Sequence, residues 1–78
     1  MHILIIEDEA ELARHISRAL VRNGHTTTTR HTGNDGLSAA LSLLPDLIVL
    51  DLGLPGLDGY SLLSELRRQG HTTRVIIL

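Results

Sequence analysis

The chain has 78 residues, a formal net charge of −2 and no cysteine or lysine, so all seven of its basic side chains are arginines. That length allows one small domain, which buries only about 60% of its unfolded surface. The composition excludes a disulfide framework, a thiolate metal site and a basic stripe for nucleic acid or an anionic membrane.

Met1 runs almost at once into "ILII" with no basic leader, and no apolar run is long enough to span a bilayer. A soluble, cytoplasmic domain with no membrane contact is expected. The short apolar run "HILII", residues 2–6, predicts a strand buried on both faces. Residues 9–23 predict a helix with Leu12, Ile16, Ala19 and Leu20 on one stripe and Arg14, Arg18 and Arg22 largely outside it. Asn23-Gly24 closes it, glycine being favoured just past a helix C-terminus. "HTTTTRH", residues 25–31, is β-branched but polar, the pattern of an edge strand. "TGNDG" signals a turn, and a short helix then runs to about Leu44, where Pro45 forces the stop. "DLIVLD", residues 46–51, is a second fully apolar strand. A third helix is expected from about Tyr60 to Gln69 through Leu62, Leu63 and Leu66, with Gly70 closing it and Tyr60 packing. "RVIIL", residues 74–78, is another apolar strand.

Strands alternating with helices predict an α/β domain: a parallel sheet with right-handed crossovers and helices on both faces. The two early apolar strands should be interior neighbours and the polar strand should lie outside them, giving the order 2-1-3-4.

In such sheets the site lies beyond the carboxyl ends of the strands, where the strand order reverses. The first strand ends in "EDE", residues 7–9, and the third ends in Asp51. Glu7, Asp8 and Asp51 should therefore converge. Like charges this close repel and raise one another's pKa unless something compensates. A hard divalent cation is the natural compensation, and Mg²⁺ favours carboxylates, waters and a phosphate oxygen. Glu9 and Glu11 need only be partners of a helix N-terminus.

Competing motifs are missing. There is no G-x-G-x-x-G after the first strand, no G-x-x-x-x-G-K-[ST] and no G-x-S-x-G. The five histidines are not spaced as a zinc site, and His25 and His31 read as solvated residues on one face of the edge strand.

"ILIIEDEAEL" followed by "PDLIVLDLGLPGLDGYSLL" resembles the receiver domain of bacterial two-component response regulators, in particular the class with a C-terminal winged-helix DNA-binding domain. The resemblance covers the whole chain and implies a flavodoxin-like fold. It implies that Asp51 is the phosphoacceptor, and that Glu7 and Asp8 hold Mg²⁺ (or Mn²⁺) directly or through water. The backbone carbonyl of Gly53 is then a further ligand. Pro55 and Gly56 shape the loop, and Asp58-Gly59 start the third helix with Asp58 as its N-cap. The implied reaction moves a phosphoryl group from a phosphohistidine of a sensor histidine kinase to Asp51. That is a self-phosphorylating and self-dephosphorylating switch rather than a turnover enzyme, and DNA is reached only through a separate output domain.

In the family a Ser or Thr follows the fourth strand and a Lys follows the fifth. Residues 1–78 thus resemble the amino-terminal two-thirds of a receiver, and slow labelling is expected. A haloacid-dehalogenase-like phosphatase also uses a strand-end aspartate, but it requires a second Asp where Gly53 stands. Another reading is a non-signalling interaction module that keeps the acidic cluster. The last strand carries few charges, so Val75, Ile76, Ile77 and Leu78 are expected at a homodimer interface.

Overall fold

The three apolar runs and the polar run "HTTTTRH" supply the strands, and each stretch between consecutive strands supplies a helix. The computed structural model describes residues 1–78. In chain order the elements are β1 (His2–Ile6), α1 (Ala10–Arg22), β2 (Thr26–Arg30), α2 (Gly33–Leu43), β3 (Leu47–Leu50), α3 (Gly59–Arg68) and β4 (Arg74–Ile77). All pairings are parallel, and the sheet order is β2-β1-β3-β4, as the apolar and polar strands implied.

β1 is the centre of the molecule, with Ile3, Leu4, Ile5 and Ile6 all 1% exposed or less. Because successive strand residues point to opposite faces, the sheet feeds two cores. On one face Leu4, Ile6, Ile48 and Leu50 pack with Ala39 and Ala40 of α2 and with Leu62 and Leu66 of α3. On the other, Ile3, Ile5 and Val49 meet Ala13 of α1. The first cluster has nine buried residues and the second four, so the face under two helices holds most of the apolar burial.

The buried seam of α1 is Ala13 flanked by Ile16 and Leu20, whereas Leu12 and Ala19 are exposed. The stripe is thus rotated from the expected one. A small residue fits where the helix lies closest to β1, and Leu12 is left on its flank. Tyr60, expected to pack, is 70% exposed, because Gly59 and Leu62 already occupy the inner side of the first turn of α3.

"TGNDG" is also not a turn. Thr32 caps α2, its hydroxyl accepting from the Asp35 amide at 3.1 Å, and Gly33 is the first helical residue. Glycine is required there by contact rather than by flexibility. A Cβ on Gly33 would stand 1.8 Å from the Leu57 carbonyl oxygen, and one on Gly36 would stand 2.7 Å from the Ile6 side chain. α2 ends on Leu44, which takes the left-handed conformation (φ 48) ahead of Pro45.

At the outer strands the polar pattern has named partners. The His2 ring bonds Thr26 at 2.7 Å and Thr28 at 2.9 Å, and Ser17 bonds Thr27 at 2.6 Å. The approach to β4 is held by Arg67, whose guanidinium donates to the carbonyls of His71 at 2.7 Å and Thr73 at 2.8 Å.

Gly33→Ala is expected to destabilise the protein by about 3 kcal/mol or more, because the new methyl meets backbone that cannot rotate away. Gly24→Ala meets no atom within 4 Å and strains only its φ of +89°, so about 1 kcal/mol is expected. Urea denaturation of both variants checks the ranking.

Candidate functional site

The site is built where β1 and β3 run out side by side. The Asp51 amide donates to the Ile6 carbonyl at 3.0 Å, and the Glu7 amide donates to the Arg30 carbonyl at 3.0 Å. The sheet ladders therefore extend one residue past each strand and fix both acidic residues at the carboxyl-end mouth. Glu7, Asp8 and Asp51 each offer a carboxylate oxygen, and these oxygens lie within 4.8 Å of one another. Glu7 is 4% exposed, Asp51 is half-buried and Asp8 is open to solvent.

These surroundings separate the two inner carboxyls. Burial pushes Glu7 up to about 7, and a shared hydrogen bond and charge repulsion from Asp51 add to the rise. Asp51 is held below the usual carboxylate range, chiefly by the Gly53 amide and then by the bond from Glu7. The Gly53 amide donates to Asp51 Oδ1 at 2.9 Å. Without a counter-charge the cluster therefore keeps a proton near Glu7. An all-oxygen, carboxylate-rich donor set suits a hard cation such as Mg²⁺ or Mn²⁺ rather than zinc or copper.

The loop carrying Gly53 is pinned at several points. Leu54 is 5% exposed and sits in the larger core, and Leu57 packs against that core. Gly56 has φ +73, which glycine adopts without strain. Asp58 caps α3 by accepting from the Ser61 amide at 2.8 Å. A Cβ on Gly59 would stand 2.8 Å from the Leu52 Cα, so the first turn of α3 rests directly on the residue after Asp51. Pro55 is exposed.

Sequence reasoning read Pro55, Gly56, Asp58 and Gly59 as loop-shaping but passed over Leu54, Leu57 and Gly33. For Leu54 and Leu57 the signal was three leucines within the six residues of "LGLPGL", too apolar for a free loop. It also missed His31, whose ring bonds the Glu7 carbonyl at 2.9 Å. No histidine joins the acidic cluster. His25 and His31 flank β2 rather than lying within it, and His25 Nδ1 is 3.3 Å from the Met1 amine. The broad cavity of about 1060 Å³ lies at the opposite end of the sheet, lined by Met1, Asp46, Gly70, Thr72 and Arg74 among others. It shares no residue with the acidic mouth.

The carboxyl shifts make stability pH-dependent. Because Glu7 holds its proton more tightly when folded, the folded chain binds more protons than the unfolded one between about pH 4.5 and about 7. The metal-free protein should therefore lose stability as pH rises through that window, by at most about 3 kcal/mol. Asp51 acts in the opposite sense: its contribution is present above the unfolded value of 3.8 and is lost as pH falls through its lower folded value. Urea denaturation without divalent ions at about pH 5 and about pH 8 should show wild type weakening at the higher pH. Glu7→Gln should remove that decline.

The family model of the response regulator receiver domain matches residues 3–78. The transcriptional regulatory protein PcoR of Escherichia coli is 43% identical over 76 residues, which cover 97% of this chain and 34% of PcoR. YkoG of Bacillus subtilis, an uncharacterized transcriptional regulatory protein, is 43% identical over 77 residues, covering 99% of this chain and 34% of YkoG. The receiver domain of the Francisella response regulator 1452 superimposes with a TM-score of 0.94 at 37% identity, covering 97% of this chain and 63% of that one. The chain spans about a third of the length of the curated relatives it matches. It also has the sheet order expected from its sequence and no helix long and apolar enough to cross a membrane. This chain belongs to the receiver-domain family of response regulators.

Proposed function

We propose that residues 1–78 carry the phosphoacceptor site of a two-component receiver, with Asp51 as the nucleophile. The observation that carries this reading is the convergence of Glu7, Asp8 and Asp51 within 4.8 Å beyond the ends of β1 and β3. A buried carboxyl pushed up to about 7 beside an aspartate held low is a site short of positive charge. Glu7, Asp8, Asp51 and the Gly53 carbonyl would hold Mg²⁺ or Mn²⁺. When bound, the cation neutralises charge on the carboxylates and on an incoming phosphoryl group.

The chain's own residues do the positioning. The Gly53 amide engages Asp51 Oδ1, which fixes the rotation of the carboxylate, and Oδ2 is the attacking oxygen on this reading. That oxygen forms a bond to phosphorus as the N–P bond of a kinase phosphohistidine breaks, and the imidazole leaves with the electron pair and is protonated from solvent. Such transfer needs little beyond in-line positioning and charge compensation. Glu7 and Asp8 flank the acceptor as the acidic pair.

The donor on this reading is a sensor histidine kinase in the cytoplasm. The protein is a switch rather than a turnover enzyme, and DNA is controlled through an output domain outside residues 1–78. The names of PcoR and YkoG as transcriptional regulatory proteins support that output. With phosphoramidate as donor, phosphoryl incorporation measured by mass spectrometry should need Mg²⁺, map to Asp51 and vanish in Asp51→Asn. Residues 1–78 contain no lysine to pair with the phosphoryl group, so labelling should be slower by about 10²-fold than with such a partner in place. Unchanged labelling of Asp51→Asn would overturn the assignment.

Self-association is a second reading with its own observation. On β4, the last strand of the sheet order, Ile76 is 53% exposed and Ile77 42%, and Leu78 just beyond it is 54% exposed. Edge-to-edge pairing about a two-fold axis would satisfy the outer backbone groups and cover these side chains. Val75 packs against the larger core, so the clean test is Ile76→Lys together with Leu78→Lys. Sedimentation should show a dimer for wild type and a folded monomer for that variant.

A further inference from the structure

We propose that His31 is a positioning residue for the acidic pair, its imidazole acting as a side-chain extension of the β1–β2 ladder. The backbone pairing of β1 with β2 reaches Ile6 opposite Arg30, and the Glu7 amide makes the next bond, to the Arg30 carbonyl at 3.0 Å. The Glu7 carbonyl takes its bond from His31 Nδ1, at 2.9 Å. That carbonyl belongs to the peptide joining Glu7 to Asp8. Bonds on the Glu7 amide and on this carbonyl therefore hold the peptide units on both sides of Glu7. Together they set the direction in which the Glu7 and Asp8 side chains leave the chain.

A carbonyl oxygen only accepts, so the bond requires the proton on Nδ1. The neutral ring is thereby fixed in its Nδ1–H tautomer, the less common one in water, with Nε2 as the free acceptor. His31 reaches no carboxylate oxygen of the cluster by any hydrogen bond and acts only through the Glu7 backbone. This inference rests on the acidic mouth being a divalent-cation site. Groups that orient metal ligands typically change affinity by about tenfold or more when they are removed.

The test uses the full chain, ¹⁵N-labelled, at about pH 8. Imidazole ¹⁵N shifts of the wild type should report the Nδ1–H tautomer of His31; the Nε2–H tautomer overturns the proposal, and this readout needs no variant. Amide shifts of Asp8 and Gly53 are then followed during Mg²⁺ titration of wild type, His31→Ala and His31→Asn. The Asn side-chain amide places a nitrogen where Nδ1 stands. His31→Ala should bind Mg²⁺ about tenfold more weakly, and His31→Asn should recover to within about twofold of wild type. Equal losses in the two variants, or no loss in His31→Ala, would overturn the positioning role while leaving the cation site standing. A wild-type chain that ignores Mg²⁺ overturns the cation reading and this one with it.

Discussion

Repulsion among Glu7, Asp8 and Asp51 is the interaction around which the rest of this structure is arranged. Two apolar strands, each buried on both faces, run parallel and stop at the same level, so the acidic residues that follow them have nowhere to separate. Glu7 is the most constrained, because its carboxyl sits at 4% exposure beside another carboxyl. A free chain would hydrate each charge independently. The folded chain concentrates them, and the apolar burial beneath them has to compensate.

That burial depends on close approach. The larger core reaches from Leu4 and Ile6 through Ile48 and Leu50 to α2 and α3, and α2 gets near enough only because Gly33 and Gly36 lack a Cβ. The same contact brings α2 against Leu57, in the loop that presents Gly53 to Asp51. Packing on the α2–α3 face and geometry at the acidic mouth are thus one mechanical unit. A disturbance at Gly33 should travel to Asp51 through the loop backbone rather than through charge. The α1 face is different: it rests on a few aliphatic side chains around Ala13 and leaves Ile76 and Leu78 in the open.

Much of this was legible in the sequence. Composition distinguished "HILII" and "DLIVLD" as interior strands from the polar "HTTTTRH", and that contrast places β2 outside β1 and β3. The acidic mouth followed, because the residues after parallel strands meet at a predictable place. Each failure has a physical cause. "TGNDG" looks like a turn because glycine costs a helix conformational entropy, yet the missing Cβ is what the Leu57 carbonyl and the Ile6 side chain require. The stripe of α1 shifted because periodicity marks a face but not which residue lies closest to the sheet. Tyr60 was misread because size suggests burial only where space exists. His31 was invisible because its partner is a backbone carbonyl, which carries no sequence signal.

The central claim is that one site binds either a proton or a divalent cation. The most direct measurement is the apparent Mg²⁺ affinity from amide NMR of Asp8, Asp51 and Gly53 at about pH 6, about pH 7 and about pH 8.5. If Glu7 must give up its proton to admit the cation, affinity at about pH 6 should be about tenfold weaker than the plateau reached above pH 8. At about pH 7 it should be about twofold weaker than that plateau. An affinity that stays constant across this range would contradict the account.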